Sequence, residues 1–214
     1  QFTVQVKSGS GSMKKEATVR KGYQAPEAPQ RQEGRLSGVT VCIDAGHQEN
    51  GRFVNEPIGP GLSGSTSGKG GMAQGTKTNR RESIVCLEIG MLLRDELLRQ
   101  GANVVMTRED QTTFHTNIER CEIAEAGGAQ IMLRLHCNNS SNRSKRGIQV
   151  YGPLNSDYAK AVADADTYRE MGQKLLDAMK TRVGMTLANS TGMVRLNDNY
   201  VGNNWAKMMC FLVE

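Results

Sequence analysis

No uninterrupted apolar run in this chain approaches the roughly 18–20 residues that a membrane-crossing helix needs, so the sequence as given holds no membrane span. There is no CxxC pair. The five cysteines, Cys42, Cys86, Cys121, Cys137 and Cys210, are odd in number, which argues against a disulfide framework and against a zinc knuckle and leaves free buried thiols as the expectation. Aromatic residues are only 5% of the chain, too sparse for the interleaved stacking surfaces that single-stranded nucleic acids require. A concentrated basic face is lacking too. The formal charge of +5 comes from residues 1–37, with seven Lys or Arg against three Asp or Glu, while the remainder holds twenty against nineteen. A near-neutral domain of this kind excludes nucleic acid as the expected partner. The chain starts at Gln1 without a charged-then-apolar leader pattern, so the expectation is a removed leader or an internal piece.

What is present divides at about residue 37. Residues 1–37 are rich in Gly, Ser, Gln, Lys, Glu and Pro, a composition that buries too little surface to offset its ordering entropy. They are expected to form a flexible basic linker, with a short strand at Phe2–Val6. Residues 38–214 read as one domain. "VTVCID" is a β-branched run that ends in "AGH", the form of a buried strand entering a loop. Residues 48–78 are dominated by Gly, Ser, Thr and Pro, longer than an ordinary connector and therefore a candidate functional loop.

Apolar residues then recur at helical spacing from Arg81 to Gln100 (Ile84, Val85, Leu87, Ile89, Leu92, Leu93 and Leu97), with Gly101 as the stop. "NVVMTR" predicts a second strand, Asn117–Ala126 a helix, "AQIMLRLHCN" a third strand and "GIQVY" a fourth. One long helix is expected over Tyr158–Val183, followed by a weaker extended segment "GMVRLND" and a last buried strand "MMCFLVE". Alternating strands and helices specify an α/β fold: a central mixed, largely parallel sheet of about six strands flanked by helices.

Open α/β sheets place ligands beyond the carboxyl ends of their strands. His47 and His136 are polar groups delivered to such ends by apolar strands, Glu82 opens the strongest helix after the long loop, and Glu214 closes the last strand. Two imidazoles and one carboxylate, with a fourth position left to water, are a composition used by catalytic zinc. A free carboxylate nearby can shuttle the proton. The spacing is unlike a compact HExxH helix, and hydrogen-bonding histidines at strand ends are common, so residue types alone leave both readings open.

A resemblance narrows the choice. "VCIDAGH", "NEPIGPGLSGSTSG", "RRESIVCLEIGMLLRDELLRQGANVVMTRED", "ERCEIAEAGGAQIMLRLHCNNS", "GIQVY" and "FLVE" occur in an order that resembles the N-acetylmuramoyl-L-alanine amidase family called amidase type 3, over roughly residues 39–214. The resemblance implies a Zn2+ site at His47, Glu82 and His136, with Glu214 as the catalytic residue. It also implies zinc-activated water cleaving the amide bond between N-acetylmuramic acid and L-alanine of bacterial peptidoglycan, a glycan strand carrying peptide stems. The enzyme is then expected to be extracytoplasmic, secreted or cell-wall associated, an autolysin-type hydrolase; a regulatory protein partner is left open. The family runs on past this Glu through a loop and a final helix, so the domain is expected to be truncated at its C-terminus. The alternatives are a zinc peptidase acting on another peptide, and a cell-wall binding or regulatory domain of the same fold without catalysis.

Other features have plainer readings. Glu88 is the second choice as ligand should Glu82 fail. Cys137, beside His136, is expected in the core, with strand alternation pointing it away from the site. His115 falls in a polar stretch that suits a surface or capping role, and Arg120 a structural ion pair. Asp44 orients the site or stabilises its loop. Gly59, Gly61 and Gly64 match a dinucleotide pattern without the required strand and helix, and "SGKGG" lacks the remaining residues of a phosphate loop.

Overall fold

The run "TVCIDA" forms β1 (Thr40–Ala45), the inner strand that anchors the fold. In the computed structural model, which describes residues 26–49, 54–66, 72–142, 147–183 and 194–214, there follow α1 (Glu82–Arg99), β2 (Asn103–Met106), α2 (Asn117–Ala126), β3 (Ile131–Leu135) and β4 (Val150–Gly152). The chain then continues through α3 (Asp157–Val162), α4 (Ala165–Val183), β5 (Arg195–Leu196), α5 (Val201–Trp205) and β6 (Met209–Val213). The six strands make one sheet in the order β2-β1-β3-β6-β4-β5. β1 is parallel to β2 and β3, β3 to β6, and β5 to β4; only the β4–β6 pair is antiparallel. The mixed, mostly parallel sheet expected from the sequence is the one observed.

Alternation along β1 explains why both faces are covered. Ile43 and Ala45 enter an apolar cluster with Cys86, Leu87 and Met91 of α1, Tyr168 and Leu176 of α4, and Phe211 of β6. Cys42 points the other way, into a cluster with Cys121 and Ala124 of α2, Met132 of β3 and Cys210 of β6. Each face is apolar, so each needs a helical layer. On α1 the buried positions are Glu82, Ser83, Cys86, Leu87, Gly90, Met91 and Arg94. Ile89 and Leu92, counted in the apolar spacing, are exposed.

Two local features differ from expectation. The helix expected over Tyr158–Val183 is broken. Ala163 caps α3 in an extended conformation (φ −164°), and the Asp164 side chain accepts the Thr167 amide at 2.7 Å, starting α4 afresh. Helix α5 was not foreseen: its five residues are too few to show a period. The strand expected at Phe2–Val6 and the "SGKGG" segment lie outside the described residues. Residues 26–37 run against the end of α1: Gln32 and Leu36 donate to the carbonyls of Leu98 and Gln100, and Arg31 to that of Gly101. They supply donors that the last helical turn lacks. Gly101 ends the helix at φ 92°, as a left-handed stop requires. Among the described residues no helix is long and apolar enough to cross a membrane.

Candidate metal centre

Because β1, β3 and β6 are parallel, their C-terminal ends share one edge of the sheet. Immediately past those ends stand Gly46–His47, His136 and Glu214, and over the same edge α1 begins with Glu82. The four predicted residues therefore meet on one cleft of about 680 Å3, which all four line. His47 Nε2 lies 3.2 Å from Glu82 Oε2, and His136 Nδ1 lies 3.1 Å from Glu82 Oε1. The two imidazoles stand edge to face, with ring centroids 4.8 Å apart.

One donor atom from each of His47, Glu82 and His136 lies within 4.8 Å of the others, a group able to hold a metal ion. The two short separations approach the edge of about 3.3–3.5 Å expected between ligands of a tetrahedral ion with bonds of about 2.0–2.1 Å. The protonation of Glu82 and His136 suits the same task. Burial raises the Glu82 carboxyl, but hydrogen bonds from His136, His47 and the Cys137 amide outweigh it and hold the group below the ordinary carboxylate range. Burial lowers His136, which favours the neutral imidazole that a metal needs.

The backbone around His47 is specialised. His47 itself has φ 57°, a left-handed conformation for a side-chain-bearing residue. Gly46 is required for space: a Cβ there would stand 2.6 Å from the His136 ring and from the Leu135 carbonyl. Arg108, buried, holds this turn by donating to the carbonyls of Ala45 (2.8 Å), Gly46 (2.8 Å) and Ser83 (2.7 Å). One guanidinium thus links the segment carrying His47 to the start of α1 carrying Glu82. Burial lowers Arg108 to about 10, which leaves it cationic at neutral pH.

Beneath the turn, Asp44 is fully buried between two arginines. It pairs with Arg120, accepts from Arg134 Nε at 2.9 Å, and accepts from Thr107 Oγ1 at 2.8 Å. Arg120 also donates to the carbonyls of Ala45 and His47. Asp44 and Arg120 therefore form the expected structural ion pair and support the loop. Arg108 and Arg134 were not foreseen. The available signal was an arginine inside the apolar run "IMLRL", in register with the aspartate of "VCID" across β1 and β3.

The remaining candidates separate. Glu88 pairs with Arg80 on the outer surface, away from the histidines. His115 lines the cleft but stands outside the metal group, and its carbonyl accepts from Arg120 at 3.2 Å. Cys137 packs against the α1-side cluster with its Sγ 4.0 Å from that of Cys86, while its amide serves Glu82. All five cysteines are free. Residues 54–66 of the glycine-rich loop are pinned beside the cleft: Glu56 caps α2 by accepting from the Asn117 and Ile118 amides, and Trp205 Nε1 donates to the Pro57 carbonyl. Gly61 and Gly64 turn this segment at φ 73° and 95°.

Glu214 is outside the ligand group but inside the cleft. Its Oε2 is buried and has no hydrogen-bond partner. Burial, then the charge of Glu82, pushes the carboxyl up to about 7, with His47 and Arg134 acting against them. A carboxylate poised near neutrality beside a metal-binding group is suited to carry a proton in either direction.

The sequence profile of the family described as N-acetylmuramoyl-L-alanine amidase matches residues 41–214. No curated protein gives a significant sequence match. Among solved structures, the apo form of an N-acetylmuramyl-L-alanine amidase from Mycobacterium abscessus is 20% identical, with 84% of each chain covered and a TM-score of 0.72. An amidase of the same description from Mycobacterium smegmatis is 16% identical, with 84% of this chain and 82% of that one covered and a TM-score of 0.71. An N-acetylmuramoyl-L-alanine amidase from Nostoc punctiforme is 24% identical over 83% of this chain and 79% of its own, with a TM-score of 0.56. At such identities the likeness to these structures is one of fold.

Proposed function

The chain belongs to the N-acetylmuramoyl-L-alanine amidase family, peptidoglycan hydrolases that cut the stem peptide from the sugar, and we propose that it does so with zinc held by His47, Glu82 and His136 and with Glu214 as the proton carrier. The observation that carries this reading is the convergence of those three donor groups beside a half-buried carboxyl, pushed up to about 7, whose Oε2 is buried without a partner. Bound there, zinc supplies a Lewis acid that polarises the scissile carbonyl and acidifies water. Glu214 takes the proton of the attacking water at a carboxylate oxygen and delivers it to the departing L-alanine nitrogen. The new C–O bond replaces the broken C–N bond, leaving a lactyl carboxylate on the glycan and a free amine on the stem. The substrate lies outside the cytoplasm, so the enzyme works there, secreted or attached to the wall. Three of its five thiols suit that setting: burial raises Cys42 and Cys121 and pushes Cys210 up to about 12, which keeps these three unreactive.

The product test uses peptidoglycan fragments incubated with the zinc-loaded protein, with chelator-treated protein, and with chelator-treated protein given zinc again. Mass spectrometry is expected to find intact stem peptides beginning with a free L-alanine amine in the first and third only. Cleavage between stem residues would replace this reading with a peptidase, and retention on the fragments without cleavage would replace it with a binding domain.

Ligand assignment has its own check. Glu82→Ala is expected to lose zinc on dialysis, whereas Glu88→Ala, which removes only a partner of surface Arg80, keeps it. Elemental analysis giving the reverse pattern would move the ligand one helical turn and a half along α1.

A further inference from the structure

The residues past the strand ends form one row across the sheet. Ala45, Leu135, Val213 and Val150 are neighbours in register, and the next step of each strand brings Gly46, His136, Glu214 and Gln149 side by side. Gln149 and Glu214 exchange both backbone hydrogen bonds, at 2.9 and 2.8 Å. In such a pair the two side chains stand on the same face, with Cα atoms about 5.5 Å apart. Glu214 therefore has His136 on one side and Gln149 on the other.

Both of the polar ends that face this problem are orphaned. Gln149 is 6% exposed, and its Nε2 is buried without a hydrogen-bond partner, as is Glu214 Oε2. Burying an amide hydrogen without an acceptor is unfavourable, and a residue of equal size without the amide would fill the same space. The unsatisfied donor and the unsatisfied acceptor belong to directly opposed residues, within the reach of a glutamine and a glutamate side chain.

We propose that Gln149 is a positioning residue for the reaction: a side-chain rotation brings its carboxamide Nε2, unpartnered in this structure, to donate to Glu214 Oε2 and fix the direction in which the other carboxylate oxygen meets the cleft. The inference rests on the reading of Glu214 as the proton carrier. Gln149 touches neither substrate nor metal ligand in this role and acts only through Glu214.

The test is a double-mutant cycle with the zinc-loaded full chain, measuring kcat and KM for stem-peptide release alongside zinc content and Tm. Gln149→Met is expected to lower kcat about 10-fold, the scale seen when the orienting partner of a site residue is removed, with KM and zinc content unchanged and Tm unchanged or raised. In the Glu214→Gln background the same substitution should cause no further loss, because the group it positions is already gone. A loss that multiplies in both backgrounds, a loss confined to KM, or unchanged kcat in Gln149→Met would overturn the proposal. Full activity in Glu214→Gln alone would instead overturn the reading on which it rests, and the inference with it. Should Gln149→Met fail to fold, Gln149→Asn, which keeps the amide but withdraws it by one methylene, is expected to show the same fall in kcat, and wild-type kcat in that folded variant would count against positioning.

Discussion

Glu214→Gln is expected to lower kcat for stem-peptide release by about 10²–10⁴-fold, the contribution of a positioned acid–base group, while zinc content and KM stay close to those of the unmodified protein. The carboxamide keeps the size of the side chain but can neither take the proton from water nor hand it to the leaving nitrogen. Retained zinc with lost turnover would separate this residue from the ligands, whose loss removes metal and activity together. Turnover within twofold of the unmodified protein would sink the assignment.

The same substitution has a stability signature of opposite sign. The carboxyl is raised from its ordinary 4.5 to about 7 in the folded chain, so between those values the folded state holds a proton that the unfolded state has released. Ionised Glu214 is therefore a burden on the metal-free fold: absent below about pH 4, growing from there to neutrality, and complete above about pH 8. Glu214→Gln is expected to raise the Tm of the metal-free protein at pH 8 and leave it unchanged at pH 4. The comparison is made without metal because a bound cation would favour the carboxylate and mask the effect. A Tm gain equal at both pH values would point to packing in place of charge.

Such a residue, unfavourable to the fold yet placed at the cleft, was legible in the residue pattern only as the last letter of a buried strand; its catalytic role came from the family resemblance of the "FLVE" block. The frame around it was easier to read. Periodicity located α1 and α2, and β-branched runs located β1, β2 and β3, because one buried face dictates a repeating pattern. The break at Ala163–Asp164 escaped because alanines on both sides are compatible with a continuous helix; the local signal was Asp164 three residues before Thr167. Helix α5 escaped for another reason. Its buried Asn203 and Asn204 are held by long-range hydrogen bonds to the carbonyls of Tyr151 and Ile58, which no local pattern encodes. His47 and His136 stood out as polar residues at apolar strand ends. Arg108 and Arg134 beneath them did not, since their partners are distant in sequence: Arg108 holds the carbonyls of Ala45, Gly46 and Ser83, and Arg134 meets Asp44 only when β1 and β3 pair.

The burial of Asp44 between Arg120 and Arg134 makes Asp44→Ala the largest stability effect expected in the molecule. Burial raises the Asp44 carboxyl, but Arg120 and Arg134 outweigh it and hold the group far below its ordinary range. Removing it strands two guanidiniums in the interior, a change that typically costs about 3–5 kcal/mol, against a total of about 5–15 kcal/mol for a domain. Denaturant unfolding at pH 7 is expected to show that loss, with Asp44→Asn intermediate because the amide oxygen still accepts one hydrogen bond. The pH dependence follows from the depressed folded-state value: the contribution is full above about pH 5, where even the unfolded aspartate is ionised, and is lost as the pH falls further. Asp44→Ala should therefore stand well below the unmodified protein at pH 7 and approach it in acid. A loss under about 1 kcal/mol at pH 7 would mean that water or another anion takes the place of the carboxylate. The damage should also reach the metal. Arg120 bridges Asp44 to the His47 carbonyl, so an Asp44→Ala chain that still folds is expected to hold zinc more weakly, although Asp44 is no ligand.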